Sequence, residues 1–170
     1  AILTDYRSHL QSIQRKVESY KTLQLSKWRW HSWVGFYLKL QEDLKAGGWD
    51  YVATPSGGFL GFWWYFQGSD ECKRHLQLEE EKFCFKISVK NAGDRKLLRN
   101  KWNKIIQIKG NDYNLKLVKP RKFGNGENMT VCLFDGEYRE TNADGLINMK
   151  KTVNHLKNAE KLMNSVHENV

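Results

Sequence analysis

Twelve residues, Pro55 to Phe66 (PSGGFLGFWWYF), hold three glycines, three Phe, one Tyr, two adjacent Trp and no charge. In a strand, successive side chains point to opposite faces. Phe59, Gly61, Trp63 and Tyr65 therefore share one face, and Leu60, Phe62, Trp64 and Phe66 the other. Both faces are apolar, which a half-exposed strand does not tolerate. The segment is expected to be a central strand covered on both sides, or one that keeps a face for a partner. Pro55 and Gly57-Gly58 form the turn into it.

The rest of the chain must supply the cover. Leu3, Tyr6, Leu10, Ile13, Val17 and Tyr20 recur at alternating spacings of three and four, so a first helix with a heptad-like seam is expected, lying alongside another helix. A second helix over about 27–45 carries Trp30, Trp33, Tyr37, Leu40 and Leu44, and Gly47-Gly48 ends it. Four strands follow, at 49–54, 59–66, 73–79 and 83–90; the last two alternate cleanly and should pair as a hairpin turning at Glu80-Glu81. A third helix over about 94–109 buries Leu97, Leu98, Trp102, Ile105, Ile106 and Ile108, with Asn100, Asn103 and Gln107 opposite. Strands at 114–118 and 129–134 and a helix from Asp144 to about Val166 complete the order ααββββαββα. The connections are too short for crossover helices. The fold expected is α+β, an antiparallel sheet of four to six strands packed on helices.

At 170 residues this is one domain, a helical hairpin over 1–46 and a sheet with helices over 47–170. No apolar run approaches the roughly 20 residues of a membrane span. Cys72, Cys84 and Cys132 match neither a disulfide framework nor a metal knuckle, and read as small buried hydrophobes of a cytoplasmic protein. The chain begins at Ala1 inside a helical pattern, as expected of the C-terminal part of a longer protein.

Charge is concentrated. Between Lys86 and Lys122 there are twelve Lys or Arg and two acids, +10, against a net charge of +9 for the whole chain. A block of this kind suits a polyanion such as nucleic acid, DNA in the first instance; a solvated face is the plainer alternative. Arg95, Lys96, Arg99, Lys101 and Lys104 of the third helix, with Lys119, Arg121 and Lys122 of the following loop, are the candidate phosphate contacts. Trp28, Trp30, Trp33, Trp49, Trp63 and Trp64 have the chemistry to stack bases, but fall at inward positions that favour core packing.

Catalytic signals are weak. Glu80-Glu81-Lys82 matches the Glu-x-Lys half of a PD-(D/E)XK signature, with Asp70 or Asp50 as a first acid, but that chemistry needs a central strand and the alternation puts Glu80 and Lys82 at a hairpin tip. His9, His31, His75, His155 and His167 show no i, i+4 pairing, so no metal site is expected. No Walker loop or dinucleotide fingerprint points to a cofactor.

Three stretches, YRSHLQSIQRKVESYKT, GGWDYVATPSGGFLGFWW and HLQLEEEKFCFKI, resemble the C-terminal region of bacterial PD-(D/E)XK superfamily nuclease-like proteins, common in gut Bacteroidetes and often found among defence or restriction-like genes. The resemblance covers roughly residues 3 to 90. It implies an accessory domain whose partner is an upstream nuclease-like domain of the same protein, and it carries no catalytic residue onto this chain. The expected function is thus a non-catalytic domain contacting DNA through a basic helix and loop. An interaction or sensing module using Trp63, Trp64 and Phe66 is the alternative, and a divergent metal-dependent nuclease the second.

Overall fold

The computed structural model describes residues 1–166, so His167 lies outside the described residues. It contains α1 (Ile2–Val17), α2 (Trp30–Leu44), β1 (Gly48–Val52), β2 (Phe59–Gly68), β3 (Lys73–Glu79), β4 (Lys82–Ser88), α3 (Arg95–Gly110), β5 (Leu117–Val118), β6 (Asn128–Phe134) and α4 (Met149–Ser165). The six strands form one antiparallel sheet in the order β1-β2-β3-β4-β6-β5. The fold is α+β, as the alternation of periods three to four and two implies. No described helix is long and apolar enough to cross a membrane.

One face of the sheet is the core. Leu60, Phe62 and Trp64 of β2, Leu76 and Leu78 of β3, and Phe83, Phe85 and Ile87 of β4 are all buried on it. Three helices lie against this face. Tyr37 of α2 packs on Phe62 at 5.4 Å. Trp102 of α3 lies under the Arg74 guanidinium at 4.2 Å. Glu160 of α4 accepts from the Trp64 indole at 3.0 Å. The Tyr37 hydroxyl ties α2 to the sheet, donating to the Leu60 carbonyl at 2.9 Å and accepting from the Glu80 N–H at 3.0 Å.

The alternation of β2 holds from Phe59 to Trp64 and then breaks. Tyr65 has φ of 62°, and the pairing of β2 with β3 shifts register between Trp64 and Gln67. This bulge re-aims the side chains beyond it. Tyr65 turns toward the core and Phe66 stacks on His75 at 5.0 Å. Phe66 therefore joins Phe59 and Trp63 on the face opposite the core.

Two helices depart from their periodic pattern. In α3, Arg99 and Asn103 are buried while Leu97 and Ile108 are exposed. Asn103 donates to the Val131 carbonyl at 2.7 Å, so this amide belongs to the core side. The last helix starts at Met149, not Asp144, because the Asn148 side chain caps it by accepting from the Lys151 N–H at 2.9 Å. Asp144 instead closes a local turn, accepting from the Leu146 N–H at 3.0 Å.

Candidate nucleic-acid interface

The face of the sheet opposite α2, α3 and α4 is formed by Phe59, Gly61 and Trp63 of β2, His75, Gln77 and Glu79 of β3, Cys84 and Lys86 of β4, and Thr130 of β6. Two open depressions lie on it. One, about 650 Å³, is lined by Lys82, Lys119, Arg121, Lys122 and Thr130 among others. The second, about 500 Å³, is lined by Phe59, Trp63, Phe66, His75, Gln77 and Lys86 among others. Glu79 lines both, so the basic and aromatic halves adjoin.

A polar relay crosses this face. The ring Nε2 of His75 bonds to Gln77 Oε1 at 3.2 Å, Gln77 Nε2 donates to Glu79 Oε1 at 2.8 Å, and Lys86 Nζ donates to the same oxygen at 3.4 Å. Lys86 thus offsets the charge of the one acid shared by the two depressions. Burial under Phe66 pushes the His75 pKa below its usual 6.5; the Gln77 bond opposes the shift and the Lys86 charge adds to it. Burial also pushes the thiols of Cys84 and Cys132 up to about 12. Cys72, Cys84 and Cys132 are all buried, and none of them forms a disulfide.

The basic candidates fall into two groups. Lys119, Arg121 and Lys122 are exposed at the rim of the first depression. Arg95 and Arg99 are occupied elsewhere. Arg95 donates to the Val89 and Lys90 carbonyls at 2.9 and 3.1 Å. Arg99 donates to the Gly124 carbonyl at 2.8 Å and the Asn125 side chain at 2.6 Å, and lies over the Phe123 ring at 4.5 Å. These two arginines shape the loop that carries Lys119, Arg121 and Lys122, and their guanidinium groups are already committed to it. Lys96 and Lys104 are exposed, Lys101 is half-buried, and none of the three lines the depression.

The carboxylates do not converge. Glu80 sits in the two-residue turn after β3 with φ of 53°, and its Oε1 accepts from the Leu60 N–H at 3.0 Å. Asp70 precedes the other end of β3, close to Lys73 at 3.8 Å, roughly 20 Å of strand away. Asp50 lies two strands from Glu79, across Gly61. Among the described residues, no group of three or more His, Cys, Asp or Glu is placed to hold a metal ion. Lys82 stays in the picture as a cation of the first depression.

The tryptophans divide similarly. The buried Arg139 guanidinium lies against the edge-to-face pair Trp28 and Trp33, at 4.6 and 4.5 Å, while Glu137 holds it at 2.8 Å. Trp30 packs on Tyr51 and Trp49 against the core. Trp64 is buried and cannot meet a partner, which leaves Trp63 and Phe66 of the three interface candidates. Phe59, Lys86 and Thr130 were missed as site residues; Lys86 stands at the outward position of β4, which the alternation alone reveals. No family model, curated protein or solved structure matches the chain.

Proposed function

We propose that the chain is a non-catalytic domain that contacts nucleic acid through the face of its sheet opposite the helices. What supports this reading best is the meeting of Lys82, Lys119, Arg121 and Lys122 at one depression beside the half-exposed Phe59 and Trp63 and the exposed Phe66. Lysine and arginine at a rim give sequence-independent affinity for phosphates, and aromatic faces beside them accept unstacked bases. The pairing favours single-stranded or locally opened DNA over a closed duplex. The proposed setting is a cytoplasmic PD-(D/E)XK nuclease-like protein of restriction or defence type, with this domain as its accessory. The test is a mobility shift at low salt with single-stranded and duplex DNA. Binding is expected to weaken at least tenfold when Lys119, Arg121 and Lys122 become Ala, and to change little for Lys96→Ala with Lys104→Ala. Absent binding, or equal loss from the two sets, refutes the reading.

A second reading rests on Phe66, which is 61% exposed beside Trp63. An apolar pair on an uncovered sheet also suits a docked protein, the nuclease-like domain in particular. Phe66→Ser that leaves DNA affinity intact but abolishes association with that domain would favour it.

A further inference from the structure

The seam of α1 meets α2 only at its end. Gly35 of α2 admits the Val17 carbonyl so closely that a Cβ would collide with it, Tyr20 is buried, and Ser19 bonds Ser32 at 2.7 Å. The first four members of the seam have no such cover. Leu3, Tyr6, Leu10 and Ile13 are 83%, 61%, 48% and 40% exposed, and α1 contains no buried residue. A row of large apolar side chains at spacings of three and four is what one helix presents to another.

Charge decides what kind of helix. With Leu3, Leu10 and Val17 at the first seam position of each heptad and Tyr6, Ile13 and Tyr20 at the other, the positions bordering the seam are Ile2, Arg7, His9, Gln14, Lys16 and Lys21. They include three cations and no acid; Lys21, in the turn after α1, is paired with Glu18 at 3.7 Å, so Arg7 and Lys16 are the cations that face a partner, and Asp5 lies off the border. Bordering positions choose the partner by charge. A second copy of α1 would bring more cations against these, with no acid to pair them.

We infer that α1 is the docking surface for an amphipathic helix of a second polypeptide, one with an apolar heptad seam and Glu or Asp at its bordering positions. The two would pack side by side as a short coiled coil, with Arg7 and Lys16 facing the acids. This surface is separate from the nucleic-acid face and does not depend on it.

The probe is a fluorescent three-heptad peptide with Ile and Leu in its seam and Glu at every bordering position, which repels its own copies. Anisotropy should report saturable binding to the whole chain, weakened at least tenfold by Leu10→Asp and again when the peptide's Glu become Lys. Ser8→Asp, away from the seam, should bind as the parent does. Leu3→Asp serves equally should Leu10→Asp lose its circular dichroism. No binding, or equal binding of the Lys peptide, overturns the inference. So does a chain that sediments alone as a dimer which Leu10→Asp dissolves, for a second copy is then the occupant.

Discussion

Arg99 donates to the Gly124 carbonyl at 2.8 Å, joining the basic helix to the loop between β5 and β6. The same guanidinium lies over Phe123, and Lys119 lies over that ring as well, at 4.5 and 4.6 Å. A residue that reads as a candidate phosphate contact is in this fold the fastener of the segment that carries three other candidates, Lys119, Arg121 and Lys122.

Removing that fastener should cost stability. Arg99→Ala deletes the two bonds that a buried charged donor makes to the loop at Gly124 and Asn125, a loss of about 2 kcal/mol on the scale of such bonds. Lys104→Ala, at an exposed site of the same helix, should stay within about 0.5 kcal/mol of the parent. Urea denaturation followed by tryptophan fluorescence compares the two.

The Tyr37 hydroxyl is the only polar atom of its fully buried ring, and it serves two backbone groups. Tyr37→Phe leaves the Glu80 N–H without that acceptor, at an expected cost of about 1–3 kcal/mol. Hydrogen exchange at the Glu80 amide should accelerate by more than the global loss of stability explains.

His75 makes stability fall on the acid side. Its folded pKa lies below the unfolded 6.5, so between those two values the unfolded chain binds more protons than the folded one. The contribution is fully present above pH 6.5 and is lost as pH falls through that window. Glu160 acts in the opposite sense: burial raises its pKa above 4.5, so its contribution declines as pH rises from 4.5 through the folded value. Comparing the melting temperature of the parent and His75→Gln from pH 7.5 to 5.0 isolates the first term. The parent should lose more than the variant.

The buried thiols should be inert. With Cys84 and Cys132 pushed up to about 12, neither supplies thiolate at pH 8 while folded. Ellman's reagent should titrate no thiol promptly in the native chain and three after denaturation. Prompt native reaction at either position would contradict the packing around Thr130 and Asn103.

The strands were readable because their side chains obey a period of two, and the hairpin at Glu80-Glu81 lies where the alternation of β3 and β4 put it. The bulge at Tyr65 was not, since no glycine or turn residue announces its positive φ. Arg99 and Asn103 escaped helical periodicity for a different reason: their partners, Gly124 and Val131, are 25 and 28 residues away. A local period cannot register a polar side chain buried by a distant loop. The same distance hid the candidate site. Lys82 at the start of β4 and the Lys119–Lys122 loop after β5 come together across β6, which pairs with both strands.

The salt dependence of DNA binding tests the central proposal most directly. For a strand held by phosphate contacts, the logarithm of affinity falls linearly with the logarithm of salt concentration, by roughly 0.7 per contact for single strands. The parent chain should show such a line, and replacing Lys82, Lys119, Arg121 and Lys122 with Ala should flatten it by roughly 2–3. An unchanged slope in that variant, or no measurable binding by the parent at low salt, would contradict the account.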